Sequence, residues 1–214
     1  VDLDRLRLVV VEGPIGAGKT SLAKRLAEYL GADLLLEEPE NNPFLTRFYE
    51  DMARYALPTQ LNFLFQRVDQ LQSLSQLDLF RRLTVVDYLL DKDPLFARLN
   101  LSDDELRLYD KIYAHLRPLI PAPDLVIYLQ APVSQLLDRV NRRGVLYERN
   151  IAEGYLARLN EAYTRFFHTY DDAPVLTVNN AHLNVVAKPE HFELLLRRIT
   201  EMRGGREFFS LGGA

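Results

Sequence analysis

The stretch Gly13-Pro14-Ile15-Gly16-Ala17-Gly18-Lys19-Thr20 carries the most specific chemistry in the chain. It matches G-x-x-x-x-G-K-[ST], a loop whose glycines let the backbone wrap an anion while N–H groups and a helix N-terminus point at phosphate. Lys19 is expected to reach the β- and γ-phosphates, and the Thr20 hydroxyl to ligate Mg2+. With Gly13, Gly16, Ala17, Gly18 and Ser21 they make up the expected ATP-binding loop. The valines at 9–11 before the loop and the amphipathic run after it supply the strand–helix context the motif requires. Nucleotide binding follows. The reaction does not, because motors, GTPases and kinases share this loop.

Two further groups narrow the reaction. A small kinase must cover the γ-phosphate against water and neutralise its charge. The run "LLDRVNRRGVLYERN" at 136–150 offers Arg139, Arg142, Arg143 and Arg149 around Gly144, a candidate lid over about 142–150. Read alone, the same run is equally a solvated basic helix end. No N-K-x-D base-reading motif of GTPases is present, and the chain is short for a large ATPase. Three carboxylates, Glu37, Glu38 and Asp87, fall at the ends of strand-like runs. There a carboxylate can accept a proton from a weak nucleophile or hold a metal.

The elements that must position these groups read as one α/β domain spanning 1–214. Short runs, apolar on both faces, at 7–11, 34–38, 84–87, 124–130 and 175–178 are expected strands of a parallel sheet covered by helices. Helical periodicity fills 20–30, 43–55, 58–80, 102–117, 132–142, 152–170 and 189–202, and Ser102 with Glu105 suggests a capping box. In such folds ligands bind beyond the C-terminal strand ends.

Composition sets the outer bounds. Lys and Arg total 26 against 30 Asp and Glu, a net charge of −4 that argues against a general nucleic-acid binder. The absence of cysteine excludes disulfides, thiolate catalysis and Cys-based metal sites, and fits a reducing cytoplasm. The four histidines lack ligand spacing, so no metal beyond substrate Mg2+ is expected. No run is long and apolar enough for a membrane span, and "VDLDRLRLVVVEG" reads as a strand entry rather than a signal peptide. A soluble cytoplasmic protein is expected, with no nucleic-acid or membrane partner.

In this order, "GPIGAGKT", "EEPENNPFL", "FYEDMARYALPTQLNFLFQR", "VVDYLLDKDPLFARLNL" and "RRGVLYERN" resemble the deoxynucleoside kinases, nearest the bacterial deoxyadenosine/deoxyguanosine kinase branch. The resemblance covers nearly the whole chain. It implies a five-stranded parallel sheet, a homodimer packed through long helices, and transfer of the γ-phosphoryl of ATP to the 5′-hydroxyl of a deoxynucleoside, a step of deoxynucleotide salvage. Glu38, before Pro39, matches the family's catalytic base, and strand alternation puts Glu37 on the opposite face. Asp87 matches the acidic position near Mg2+ and the phosphates. Gln60 matches a bidentate grip on the base; alone it is also a solvated helix residue. Arg67 and Asp93 are expected to pair facing the base edge, or else to form a structural ion pair, and amino-bearing bases are favoured over thymine. Phe96 is a stacking or core residue. Tyr49 and Glu148 match 3′-hydroxyl contacts, with core or dimer-interface packing as the alternative for Tyr49, and pairing to Arg149 or a neighbouring lid residue as the alternative for Glu148. Arg143 is the expected lid arginine for the transition state, backed by Arg142 and Arg149.

This chain departs from many relatives in carrying Tyr88 where they have arginine. If 88–92 is helical, Lys92 shares a face with Tyr88 and is a candidate replacement, with a surface lysine as the alternative. The rival readings are a thymidylate-type nucleoside monophosphate kinase and a catalytically silent nucleotide-binding module. Neither base preference nor a role for the tail "EFFSLGGA" is fixed by the residues.

Overall fold

A computed structural model describes residues 1–76, 82–145, 148, 151–185 and 188–211. The five expected strands form at Leu8–Glu12 (β1), Asp33–Leu35 (β2), Thr84–Val86 (β3), Leu125–Gln130 (β4) and Val175–Asn179 (β5). Every residue of β1 and β3, and all but the last of β4, is buried. These strands are therefore covered on both faces and stay apolar throughout, which is why their runs stand out in the sequence.

The sheet has six strands, not five. Arg206–Ser210 adds a parallel strand, β6, beside β5, giving the order β2-β3-β1-β4-β5-β6. Three of its five residues are exposed, so "REFFS" lacks the apolar run that marks the interior strands. The Arg206 guanidinium holds the edge by donating to the carbonyls of His168 and Tyr170. Residues 212–214 of the tail lie outside the described residues.

The expected helices form with two changes. The stretch at 43–55 is broken: α2 spans Leu45–Glu50, Asp51 leaves the helical region at φ −143° and ψ 83°, and α3 runs from Met52 to Gln76 with Pro58 inside it. The expected extension of that helix to 80 lies outside the described residues. A helix not anticipated, α4 (Asp93–Asn100), follows β3 after a 3₁₀ turn at Leu90–Lys92. It is only eight residues long, too short to show a periodicity, and Pro94 sits in its first turn, where a missing N–H costs nothing. The others are α1 (Lys19–Leu30), α5 (Asp103–Leu116), α6 (Val133–Arg143), α7 (Glu153–Thr169) and α8 (Pro189–Glu201). The α5 capping box of Ser102 and Glu105 is present.

β1 lies between β3 and β4, the point where the connections diverge to opposite sides of the sheet. Open α/β sheets bind ligands outside that crevice, and the phosphate loop leaves β1 there. Gly16 is required in the loop: its φ is +83°, and an added Cβ would lie 2.6 Å from the Leu136 carbonyl oxygen. The end of β5 braces the loop from behind. Asn180 Nδ2 donates to the Ala17 carbonyl at 2.6 Å, and the Asn180 N–H donates to the Gln130 carbonyl at the end of β4.

Asn180→Ala is expected to lower stability by about 1–3 kcal/mol, because the Ala17 carbonyl loses a buried donor. Urea denaturation checks this. An unchanged midpoint would mean that the brace adds nothing.

Candidate active site

The loop after β1, the turns after β2 and β3, and one face of α3 close around a single cleft. Its walls include Gly16, Gly18, Lys19, Thr20 and Ser21 on the phosphate side and Tyr49, Gln60, Phe63, Arg67 and Phe96 on the other. Arg143 and Glu148 also line it. Residues expected from sequence to serve the phosphates, the base and the sugar thus share one cavity, although they are scattered along the chain from Gly16 to Glu148.

On the phosphate side, Lys19 Nζ donates to the Gly13 carbonyl at 2.8 Å. Burial and then the neighbouring Lys92 lower the pKa of its ammonium. Thr20 Oγ1 donates to Asp87 Oδ2 at 2.5 Å, and the Glu37 N–H donates to Asp87 Oδ1 at 2.7 Å. Burial raises the Asp87 carboxyl, against the two hydrogen bonds that favour its charge. An adjoining hydroxyl and carboxylate are hard oxygen donors, and a cation there would offset the burial cost of Asp87. The pair fits Mg2+, which typically takes one or two protein oxygens and completes its shell with phosphate and water.

Of the two adjacent carboxylates, Glu37 rather than Glu38 lines the cleft. β2 ends at Leu35, so the period-two alternation expected to carry through 38 has stopped three residues earlier. Glu37 lines the cleft. Glu38 is exposed, outside the cleft lining, and accepts from Asn41 Nδ2. Arg67 Nε donates to Glu37 Oε1 at 2.8 Å, its Nη2 meets the same oxygen, and its Nη1 pairs with Asp93. Burial works to raise the Glu37 carboxyl. Arg67, then Lys92 and Lys19, outweigh it and hold the group at about 2. Glu37 is therefore ionised at neutral pH and able to accept a proton.

The Arg67–Asp93 pair expected from sequence is formed, and it is buried, with Asp93 fully enclosed. Burial raises the Asp93 carboxyl, with Arg67 opposing. Asp93 Oδ2 has no hydrogen-bond partner among the described residues. Gln60 is buried and lines the cleft, which removes the solvated-helix alternative. Phe96 lines the cleft too, edge-on to Tyr163 at 6.0 Å between ring centroids.

Arg143 Nε donates to Glu148 Oε2 at 3.0 Å, so the lid arginine and the candidate sugar contact form one ion pair at the cleft. Arg149 and the rest of the lid at 146–147 and 150 lie outside the described residues. Arg139 and Arg142 are not brought to the cleft wall: Arg139 Nη2 donates to the Asn180 carbonyl behind the phosphate loop, and Arg142 is exposed.

Lys92 is not a surface lysine. Its side chain is 2 % exposed, lines the cleft, and lies 3.3 Å from Glu12 Oε2 and 3.9 Å from Glu37 Oε1. It does not share a helical face with Tyr88, because Leu89 between them is extended. Tyr88 instead sends its hydroxyl to Gln70 at 2.8 Å and is buried with its ring 6.0 Å from the Arg67 guanidinium. An arginine at 88 would bring a second buried cation beside Arg67. Glu12 itself escaped the sequence reading. A charged residue ending an otherwise all-valine and leucine buried strand is the signal that pointed to it.

Comparison with known proteins agrees with this geometry. The family model described as "Deoxynucleoside kinase" matches residues 9–203. A deoxyguanosine kinase of Bacillus subtilis is 33% identical over 199 residues, covering 91% of this chain and 96% of that protein. A deoxyadenosine kinase of Lactobacillus acidophilus is 29% identical over 210 residues, covering 92% and 96%. Among solved structures, a deoxyadenosine kinase from M. mycoides with products dCMP and a flexible dCDP bound superposes with a TM-score of 0.79 at 25% identity, covering 91% of this chain and all of that one. Fold, cleft and sequence thus converge, and the chain belongs to the deoxynucleoside kinase family.

Proposed function

We infer that the cleft transfers the γ-phosphoryl group of ATP to the 5′-hydroxyl of a deoxynucleoside, with deoxyadenosine, deoxyguanosine or deoxycytidine preferred to thymidine. The observation that carries this reading is the junction of Lys19, Thr20 and Asp87 with Glu37 and Arg67 in one cavity, Arg67 being backed by the buried Asp93. A phosphate-binding half and an acceptor half meet at an ionised carboxylate. The 5′-oxygen attacks the γ-phosphorus, the bond to the β,γ-bridging oxygen breaks, ADP leaves, and Glu37 takes the hydroxyl proton. Lys19 and Arg143 are assigned to the charge of the transferring group, and Thr20 and Asp87 to Mg2+, which would neutralise phosphate charge when bound.

Gln60, Arg67 and Asp93 are assigned to the base, Phe96 to its face, and Tyr49 and Glu148 to the sugar. The unpartnered Asp93 Oδ2 supports an amino-bearing base, since a carboxylate oxygen accepts where thymine has no exocyclic donor. The part-exposed Phe65 on α3 and Leu108 on α5 support a homodimer packed through these helices. No helix among the described residues is long and apolar enough to cross a membrane. A cytoplasmic salvage enzyme is the setting we propose. Assay of ATP-dependent phosphorylation across the four deoxynucleosides and their monophosphates tests the whole reading. Turnover confined to monophosphates would convert it to a nucleoside monophosphate kinase.

Lys19→Ala is expected to reduce kcat roughly a thousandfold, about 4 kcal/mol of barrier, in a protein that remains folded. Near-normal turnover by the folded variant would remove the loop from the mechanism.

Glu37→Gln should lower kcat strongly with a smaller change in deoxynucleoside KM, because the amide keeps the shape but takes no proton. Glu38→Gln should leave both nearly unchanged. The reverse pattern would return the role to Glu38.

Gln60→Ala is expected to raise KM most for the preferred base, as a buried base edge loses paired hydrogen bonds. An equal effect on all four bases would place Gln60 away from the base.

A further inference from the structure

Lys92 is a buried charge in the cleft wall and Glu12 a buried charge directly behind it, with side-chain exposures of 2% and 0%. Burying an ion is costly unless partners replace its water. Glu12 has those partners. Its Oε1 accepts from the Gly13 N–H at 2.7 Å and the Tyr163 hydroxyl at 3.0 Å. Its Oε2 accepts from the Leu89 N–H at 2.7 Å and faces the Lys92 ammonium at 3.3 Å. Lys92 is far less well provided. An ammonium has three donors, yet among the described residues its polar contacts are the two ion pairs, at 3.3 and 3.9 Å, and the Phe96 ring at 5.7 Å.

Lys19 adds to the imbalance. It enters the same cleft and feels Lys92 together with Glu12, Glu37 and Asp87. Two like charges in one partly dry wall repel each other unless an anion lies between them. The cleft side of that wall is where donor and acceptor halves meet, next to Glu37. Such an arrangement suits a group that carries dispersed negative charge, as a phosphoryl group does in transfer.

We propose that Lys92 is a catalytic residue whose ammonium contacts the phosphoryl group as it passes from donor to acceptor, and that Glu12 is the positioning residue that holds it there. The proposal rests on the kinase reading above. The bonds made and broken are those of that reaction: the acceptor oxygen bonds to phosphorus, the bridging oxygen leaves with ADP, and the proton goes to Glu37. Lys92 exchanges no proton and supplies charge alone. The bland alternative is that Lys92 only neutralises Glu12.

A double-variant cycle separates the two roles. Replacing a buried ion pair by uncharged groups is often tolerated, whereas removing one partner strands the other charge. Wild-type turnover with a deoxynucleoside is measured first. Its absence would overturn the kinase reading and this proposal together. Lys92→Met is expected to lower kcat by roughly tenfold or more, with deoxynucleoside and ATP KM changed less, and to lower Tm. Glu12→Gln/Lys92→Met has no stranded charge, so its Tm should recover toward wild type while kcat stays low. Lys92→Arg, which keeps the charge, should retain more kcat than Lys92→Met. An undiminished kcat in Lys92→Met would overturn the proposal and leave the kinase reading standing. So would recovery of kcat along with Tm in the double variant, which would reduce Lys92 to a counter-ion. Where a single variant does not fold, the kcat of the double variant decides.

Discussion

A carboxylate out of reach of water needs a donor for each lone pair it would otherwise offer to solvent, and Glu12 draws its donors from four places in the chain. They are the first amide of the phosphate loop, the backbone after β3, the 3₁₀ turn that carries Lys92, and the middle of α7. Leu89 and Lys92 share the stretch after β3, and that stretch, the loop and α7 are far apart along the chain. One side chain therefore sets the distance between the loop that holds phosphate and the turn that leads into α4. Because an unpaired buried charge is so costly, the arrangement has little freedom to relax: any segment that moved away would leave Glu12 short of a partner.

The interior of the fold was legible for a simple reason. β1, β3 and β4 are covered on both faces, so their residues are apolar in succession and stand out from the helices between them. Legibility fell toward the margin of the sheet and in short elements. β6 is half exposed, and its place is secured by main-chain pairing with β5 and by Arg206, neither of which has a signature in composition. Eight-residue α4 has two turns, too few for a period to declare itself. The break at Asp51 depends on one residue's backbone conformation.

At the site, the phosphate loop was legible because the chemistry of gripping phosphate dictates residue types at fixed spacing. Gln60, Arg67, Asp93 and Phe96 were found through family likeness, and the cavity gathers Gln60, Arg67 and Phe96 on its wall with Asp93 behind them. Which of Glu37 and Glu38 lines the cleft was out of reach. It turns on where β2 stops, and a three-residue strand flanked by leucine does not advertise its end. The depth of Lys92 was equally hidden, since a lysine normally reads as surface and its partner Glu12 lies eighty positions away.

The brace from Asn180 to Ala17 has a thermodynamic consequence. Together with the strained-for-any-side-chain backbone of Gly16 and the Glu12 bond to the Gly13 amide, it gives the phosphate loop its curvature without a ligand. A loop that must be ordered on binding subtracts its lost conformational freedom from the affinity. Here that freedom is surrendered during folding, with the sheet's own stability underwriting it. The nucleotide meets a rigid cradle, and the energy of its phosphate contacts remains available for holding the reacting groups in register.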